Sequence, residues 1–471
     1  MEAAPQTLNY SRRPLTVASE SKRRLFLPST GANTIAPGGR VEFDLRAAPN
    51  EFIDMRRSYM TIDITNNSTN RVLCPDIGRP FLQRLETRSG GTSIDDIEHY
   101  GKYDAFHSFG TKTPTQIRNQ GSMSGGASDD LNRKISWNTT GTEGTTVLIP
   151  RTTTAPTFTD PANALSGSIS ATNTRQYCFP LLGAIFNQKH LLPLGLMSGG
   201  LQVALTFADA AAIGVANDAV GNAPTLPDWS ATVVGFHAHV VRLNSEFTQM
   251  LRETQLTAGL CLYGHSVRCH VNNVQTGDST KVFKIPNGQP HLRSIISIPS
   301  FTTGTTANTF FSTSVGKRAG ITSYIYRVGA QNYPENRVRV GARRCGQAYQ
   351  EVSKVWGYDI ADAQDASFST RTYQQDVATA GTMPAITTAQ YVGSAKGEPL
   401  ICQNFHIGVA FDSFENMLND GVSTSNGEQV ELELECNYPN NGLLHHYLGY
   451  DVVLKLDGSG ILNVNPRDSY N

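Results

Sequence analysis

The residues with the clearest metal-binding chemistry occupy one short segment, Cys261-x-x-x-His265-x-x-x-Cys269-His270. Thiolate and imidazole are good zinc ligands, and a closed zinc site needs four ligands. Residues 260–271, however, have the pattern of an extended strand, which places Cys261, His265 and Cys269 on one face about 13 Å apart between neighbours. His270 would point to the opposite face. The sequence therefore favours buried thiols and surface histidines, and it predicts no metal site.

Carboxylates form two groups that could supply a glycosidase pair, which needs carboxyl groups about 5–10 Å apart. One group is Asp95, Asp96 and Glu98, and the other is Glu431, Glu433 and Glu435. Alternation along a strand gives such distances, but it equally describes the solvated face of any exposed strand. Residues 121–125 (Gly-Ser-Met-Ser-Gly) have the G-x-S-x-G spacing without the strand and helix context that a nucleophile needs. Walker, Rossmann and H-E-x-x-H motifs are absent from the sequence. The sequence predicts no catalytic residues, no cofactor and no enzymatic activity.

A basic amino-terminal arm, residues 1–27, is the strongest electrostatic feature. Against only two glutamates it carries five cations within thirteen residues: Arg12, Arg13, Lys22, Arg23 and Arg24. Such an arm buries too little apolar surface to order itself, so it is expected to be mobile or held by a partner. Its cations suit the phosphates of a genome or of lipid head groups, at about 1 kcal/mol each near an anionic membrane. A solvated tail is the alternative.

Composition excludes several classes of protein. The chain has 471 residues, 39 Lys+Arg, 40 Asp+Glu and a net charge of −1. This balance argues against a protein whose whole surface binds nucleic acid, because phosphate binding needs concentrated positive charge. A content of 39% hydrophobic residues argues against a disordered chain. No apolar run reaches the roughly 18 residues that span a bilayer, and residues 1–28 contain no signal-peptide core. Seven widely spaced cysteines indicate free thiols made in a reducing cytosol.

The elements that would carry these residues are strands, and they occur twice in the same order. Val41-Glu-Phe-Asp-Leu45 alternates apolar and polar residues, as residues 281–285 do in the second half. Residues 201–207 and 429–434 correspond in the same way, as do 240–243 and 452–456. Each half also predicts one helix after a strand–turn–strand unit. The first is predicted from a Thr92-Ser93 cap, through apolar residues at spacing three from 94 to 106, and the second over residues 348–356.

This duplication predicts two β-rich domains rather than one irregular domain with coincidentally similar strands. The predicted domains are residues 28–243 and 261–471, joined by a connection at 244–260 that begins with an Asn/Ser helix cap. Long polar insertions, 110–175 and 361–396, interrupt the strands of each half. Insertions of this length are functional excursions or partly disordered segments.

The segment from Phe179 to Phe207 carries the closest local likeness to a known family. In it, Leu192-Pro193-Leu194 leads into the alternating strand Leu201-Gln-Val-Ala-Leu-Thr-Phe207. It resembles the end of the first roll in double jelly-roll major capsid proteins of the tailless phage, adenovirus and large-DNA-virus lineage, including algal-virus and polinton-like members. The resemblance implies an all-β fold of two tandem eight-stranded antiparallel jelly rolls with short helices and long loops, and no active site.

The same resemblance implies a structural function. It implies homotrimeric, pseudo-hexagonal capsomers that tile an icosahedral virion shell, assembled from protein made in the host cytoplasm. The two insertions would form an outer tower or the trimer interface. The basic arm would lie at the inner surface, near minor capsid or vertex proteins, an internal membrane or the genome. Two alternatives remain open: a two-domain jelly-roll glycan-binding or carbohydrate-active protein, and a tail, spike or minor vertex protein.

Overall fold

The structure is a computed structural model of the 471-residue chain. It describes residues 19–29, 34–68, 71–74, 79–113, 116, 136–140, 145–149, 169, 172–188, 190–210, 214–217, 228–253, 259–275, 277, 279–288, 291–301, 316, 320–340, 344–357, 373, 405–411, 421–424, 428–437 and 442–464.

Within these residues, thirteen strands precede residue 244, and the remaining nine follow residue 259. The first group is β1 Ser19–Phe26, β2 Thr34–Ile35, β3 Arg40–Leu45, β4 Glu51–Asn66, β5 Arg71–Cys74, β6 Leu82–Ser89, β7 Thr92–Glu98, β8 Ser136–Thr140, β9 Thr145–Ile149, β10 Thr174–Phe179, β11 Leu201–Phe207, β12 Gly214–Asn217 and β13 Trp229–Leu243. The second is β14 Leu260–Val274, β15 Thr280–Ile285, β16 Leu292–Phe301, β17 Ile321–Val328, β18 Gln331–Arg339, β19 Ile407–Ala410, β20 Val430–Cys436, β21 Gly442–Leu456 and β22 Leu462–Val464. The helices are α1 Tyr100–Thr111, α2 Ser245–Leu251 and α3 Gly346–Val355, with a 3-10 turn at Leu194–Leu196.

The strands of the first group form two facing antiparallel sheets, which we call the first roll. One sheet has the order β1-β13-β4-β10, with β2 also on β13, and the other has the order β3-β11-β6-β7. Alternation in the sequence explains the second sheet. In β3 the odd-numbered residues Val41, Phe43 and Leu45 are buried while the polar residues between them face outward. The inward residues of the two sheets fill one apolar core.

The second roll repeats this topology. Its sheets have the orders β14-β21-β16-β19, with β22 also on β21, and β15-β20-β17-β18. Each strand therefore occupies the place of its counterpart: β14 that of β1, β20 that of β11, and β21 that of β13. We call the eight strands of the two four-stranded orders the main strands of a roll. In both rolls a helix lies between the fifth and sixth main strands: α1 between β7 and β10, and α3 between β18 and β19. The predicted duplication is confirmed at the level of strand order, as eight main strands in two four-stranded sheets are the plan of a jelly roll.

The first helix begins later than the sequence pattern predicts, and the residues from Thr92 to Glu98 form β7 instead. Gly90 and Gly91, with φ of 55° and 88°, make the tight turn that returns β7 onto β6. The β6–β7 register shifts beside Ile94. A bulge of this kind lets two residues three apart face the same core, and Ile94 and Ile97 are both buried. The three-residue spacing of Ile94 and Ile97 therefore comes from a bulged strand, and the prediction of a helix at these residues is wrong.

The sequence of residues 331–336, Gln-Asn-Tyr-Pro-Glu-Asn, predicts a turn, and this prediction is wrong because these residues belong to β18. The chain reverses one step earlier, at Gly329, where φ is 57°. The β17–β18 register then shifts between the pairs Tyr326–Tyr333 and Tyr324–Val338. This irregularity accommodates Pro334, which has no amide hydrogen to give to a regular ladder.

Other predicted elements agree with the structure. The predicted strand at residues 201–207 is β11, and the strictly alternating residues 430–436 are β20. Asn244 caps α2, its side chain accepting a hydrogen bond from the Glu246 amide. Of the two predicted insertions, the described parts are residues 110–113 and 116, the hairpin β8–β9, Ile169, residues 172–175 and Tyr373, and the rest lies outside the described residues. Both insertions connect the helix to the sixth strand, the same place in each roll, and the first overlaps the end of α1 and the start of β10.

Candidate functional site

The two rolls share an extensive apolar contact. Leu262, Ile296, Tyr447 and Val452 of the second roll lie in the same buried cluster as the core of the first roll. Strand β21 shows the effect most clearly, because every one of its residues except Leu443 and Lys455 is buried. One face of β21 packs on its own roll, and the first roll covers the other.

Asp95 forms a buried polar connection within this contact. Its carboxylate accepts hydrogen bonds from the Thr87 hydroxyl at 3.0 Å, from the Ala184 amide at 3.0 Å and from the Ser266 hydroxyl. Ser266 belongs to β14 of the second roll, so Asp95 joins β6, the 181–188 segment and the second roll at one point. Burial raises the pKa of Asp95, and the hydrogen bonds oppose that rise.

Helix α1 supplies the remainder of the contact. The Tyr103 and Tyr447 rings lie 5.4 Å apart, and the Tyr447 hydroxyl donates to the His99 carbonyl at 3.1 Å. Phe106 meets the ring of His406, with 5.1 Å between ring centroids. A cavity of 150 Å³ remains between the rolls beside these rings. Aromatic and imidazole rings, and not aliphatic side chains alone, therefore pack against α1.

A fully buried ion pair joins Arg79, just before β6, to Asp104 of α1. Arg79 and Asp104 are 3% and 1% exposed, and the guanidinium bonds the carboxylate directly. The guanidinium also lies over the Phe179 ring, 5.0 Å from its centroid. Burial lowers the pKa of Arg79. Such a pair is costly to break by removing one partner, since the other is left charged in an apolar interior.

The predicted basic arm is only partly described, and the described part is a strand. Residues 19–26 form β1, which pairs along its length with β13. Arg24 bonds Glu51 at 2.7 Å, Arg23 donates to the Tyr59 hydroxyl at 3.2 Å, and Lys22 lies 3.2 Å from a carboxylate. Burial disfavours the Glu51 carboxylate, but hydrogen bonds from Arg24 and the Ala48 amide outweigh it and lower the pKa of Glu51.

Of the five predicted cations, the structure describes Lys22, Arg23 and Arg24, so the basic patch stays a prediction. Arg12 and Arg13 lie outside the described residues. The other three are on β1, where each has a local partner. The eight residues of β1 are thus part of the first roll rather than of a free arm, because their backbone hydrogen bonds to β13 outweigh their polar side-chain composition.

The cysteine and histidine segment lies along β14, as its extended pattern predicts. Cys269 packs against the inter-roll cluster, while the His270 ring lies 6.3 Å from the ring of His446 on the other side of the strand. Among the described residues, no three His, Cys, Asp or Glu side chains are grouped closely enough to hold a metal ion.

Three of the carboxylates that suggested glycosidase chemistry, Asp96, Glu433 and Glu435, pair with arginines. Arg84 donates a bidentate pair of hydrogen bonds to the Asp96 carboxylate, at 2.7 and 2.8 Å. Glu433 is bonded by Arg327 at 2.6 Å and also by Arg337. Carboxylates in such pairs stabilise the outer faces of the sheets, and their geometry is that of ion-pair networks. The 121–125 segment lies outside the described residues.

The inter-roll contact is the feature that analysis of the sequence missed. One signal was available: residues 447–456 read Tyr-Leu-Gly-Tyr-Asp-Val-Val-Leu-Lys-Leu, with almost no polar alternation. Near-continuous apolar runs are typical of strands buried on both faces. Within the described part of the chain, no helix combines the length and apolar character needed to span a bilayer.

No family model matches the chain, and no curated protein matches it in sequence. Solved structures do match. A quasi-atomic model of the PBCV-1 virus capsid has a TM-score of 0.57 and 11% identity, covering 97% of this chain and 98% of that one. The Sputnik virophage structure from cryo-EM has a TM-score of 0.57 and 10% identity over 99% of this chain and 92% of that one. The mavirus major capsid protein has a TM-score of 0.54 and 10% identity over 99% and 95%.

These matches extend over both rolls, and they agree with the strand orders described above. At 10–11% identity they establish the fold. The chain therefore has the double jelly-roll fold of viral major capsid proteins, as the resemblance in its sequence implies.

Proposed function

We propose that this protein is a structural, non-enzymatic major capsid protein, which forms homotrimeric pseudo-hexagonal capsomers and tiles an icosahedral virion shell. The observation that carries the proposal is the duplicated jelly roll, which overlaps viral capsid proteins across at least 97% of this chain. Two linked rolls per chain let three chains present six similar edges, so that one protein fills a hexagonal lattice.

The contact inside the chain joins one side of the first roll to one sheet of the second. The equivalent side of the second roll and the equivalent sheet of the first roll stay uncovered, and this supports a trimer. Inside the chain, β7 and α1 of the first roll cover the sheet β14-β21-β16-β19 of the second. The equivalent strand of the second roll, β18, has five exposed residues: Gln331, Asn332, Glu335, Asn336 and Arg339.

The equivalent sheet of the first roll, β1-β13-β4-β10, is likewise left open by the described residues. Its outward side chains Tyr59, His237, His239 and Val241 are only half-buried, and Leu25 is 50% exposed. Repeating the internal contact between copies would place the β18 side of one chain on this sheet of the next. A head-to-tail contact of this kind closes into a ring when the rotation between rolls is one sixth of a turn.

We further propose residues 28–243 and 261–471, joined by 244–260, as the two domains, with β1 added to the first. The low charge of the chain, 17% charged residues, suits many neutral contacts between copies. The arm around Arg12 and Arg13 is proposed to lie at the inner surface of the shell, where minor capsid proteins, an internal membrane or the genome are its candidate partners. The protein would be made in the host cytoplasm and located in the virion.

Light scattering on the purified protein tests the trimer. The expected mass is about 154 kDa, three times the 51.2 kDa of one chain, and negative-stain images should show hexagonal outlines. Val241→Arg, on the open sheet of the first roll, should yield monomers. Val282→Arg is the matched control and should stay trimeric. Val282 is 45% exposed on the outer face of the sheet β15-β20-β17-β18, which is not part of the proposed contact between chains. A wild-type protein that remains monomeric at high concentration would contradict the proposal.

A further inference from the structure

Histidines from both rolls meet at the contact between them. His99 and His107 come from the first roll, just before and within α1, and His445 comes from β21 of the second. The rings of His99 and His445 pack edge to face, with centroids 4.8 Å apart. The His107 ring lies 5.9 Å from the ring of Trp356 and lines the 150 Å³ cavity between the rolls.

One cation and one carboxylate lie near His99 and His445. Lys102 of α1 faces both imidazoles, and His446 is next to His445 on β21. Glu98 is the carboxylate facing His99. Desolvation followed by the Lys102 charge lowers the pKa of His99, and the same two causes lower that of His445 further. Both rings are therefore neutral while the rolls are in contact.

His107 lies in a similar environment on the far side of the cavity. The groups that face it are Lys112 at the end of α1, Arg79 just before β6 and His265 from β14 of the second roll. Desolvation, followed by the charges of Lys112 and Arg79, lowers the pKa of His107 to about 3. The cavity gives water a place beside the ring, which a proton needs in order to reach it.

Strain in the backbone is concentrated at the same position. His99 has φ of 50° and ψ of 41°, the left-handed region that non-glycine residues seldom occupy. Its carbonyl accepts the Tyr447 hydroxyl at 3.1 Å across the contact. Contact with the second roll thus helps to hold a conformation that costs about 1–3 kcal/mol.

We propose that the contact between the rolls is an acid-sensitive joint, in which protonation of His99, His107 and His445 separates α1 from the second roll. The new charges would face Lys102, Arg79 and Lys112, and the imidazoles would lose the packing that requires them to be neutral. This property belongs to the single chain, so it holds or fails independently of the capsid function proposed above.

The direction follows from linkage. A histidine that is neutral in the closed contact and has an ordinary pKa of 6.5 in the open one stabilises contact above pH 6.5, and that stability is lost as the pH falls. For His107, whose pKa is about 3 in the closed contact, opening is favoured about 30-fold more at pH 5.0 than at pH 7.5, and His99 and His445 act in the same direction. Asp95 acts in the opposite sense, because burial raises its pKa and it takes up its proton in the closed state. It reduces the net uptake by at most one proton.

Hydrogen exchange on the purified wild-type protein tests the joint without any variant. Amides of α1 and β21 are followed between pH 7.5 and 5.0, corrected for intrinsic exchange rates, and compared with those of β11. The opening constant at α1 and β21 should rise at least 30-fold, with an uptake of about one to three protons, while β11 should change less than threefold. Opening that is independent of pH, or an equal change at β11, would overturn the proposal.

Glutamine variants identify the groups responsible. His99→Gln, His107→Gln and His445→Gln combined should flatten the pH response at the joint, and each single variant should remove part of it. His190→Gln is the matched control, because His190 is an exposed histidine of the first roll, and it should keep the wild-type response. A single-variant series with unchanged pH dependence would refute the assignment, even if the triple variant fails to fold.

Discussion

Replacing Asp95 by alanine should destabilise this protein more than any exposed carboxylate does. The substitution removes the acceptor of three buried hydrogen bonds, from Thr87, Ala184 and Ser266. Each buried donor left without a partner costs about 1–3 kcal/mol. Some of these donors regain partners by relaxation, so we expect a loss of about 4 kcal/mol in the free energy of unfolding.

Equilibrium urea unfolding measures this loss, with the slope m compared between variants to show that the same transition is followed. Asp96→Ala is the matched control. It is the next residue of the same strand, it is bonded to Arg84, and its side chain is 44% exposed. Exposed pairs of this kind are worth about 0–1 kcal/mol, so the two neighbouring substitutions should differ by about 3 kcal/mol.

A double-mutant cycle then tests whether Asp95 acts between the rolls. Asp95→Ala and Ser266→Ala should show a coupling energy of about 1–2 kcal/mol, because the two residues share one hydrogen bond across the contact. Equal losses for Asp95→Ala and Asp96→Ala, or additive effects of Asp95→Ala and Ser266→Ala, would refute the reasoning that a buried carboxylate joins the two rolls.

Three further outcomes are expected from the same unfolding measurements. Arg79→Met should cost about 3–5 kcal/mol by leaving Asp104 charged and buried, and Arg79→Met combined with Asp104→Leu should recover most of that loss; a double variant no more stable than the single one would contradict this. Tyr447→Phe should cost about 1 kcal/mol through the lost hydrogen bond to the His99 carbonyl, and an unchanged stability would show that this bond contributes nothing. Relative to Asp95→Asn, the wild type should gain stability as the pH falls from 7 toward 4. Burial raises the pKa of Asp95 above the 3.8 of an ordinary aspartate, so the folded state binds the proton at a higher pH than the unfolded state does. A stability difference between wild type and Asp95→Asn that shrinks on acidification would show that the pKa is not raised.

Most strands could be predicted from the sequence because each main sheet has one face in a core and the other outward. Alternation of the kind seen in β3 and β20 is a direct record of that arrangement. The order of the strands in two halves then indicated the duplication. Prediction failed where a bulge changes the period locally, at Ile94 in β7 and around Pro334 in β18. At such positions residue spacing no longer identifies the face on which a side chain lies.

The candidate site was much less predictable. Asp95 looked like one of several carboxylates near a helix, and only its neighbours Ala184 and Ser266, 89 and 171 positions away, make it a buried connection. Arg23 and Arg24 were predicted as part of an arm, since their composition is polar. Their backbone instead pairs with β13, more than 200 residues later in the chain. Contacts at these separations leave no local pattern in the sequence.

The sequence by itself determined the all-β character and the two-fold repetition of the strand order, because burial of one sheet face imposes a period of two on neighbouring residues. The family resemblance came from the likeness of residues 179–207 to known capsid proteins. Only the tertiary structure decided how the second roll meets the first. It placed His99 against His445 and His107 beside the cavity between the rolls, buried both faces of β21 and gave Asp95 its partners. These contacts depend on the packing of whole sheets, which brings together residues that are distant in the chain and that no short-range pattern connects.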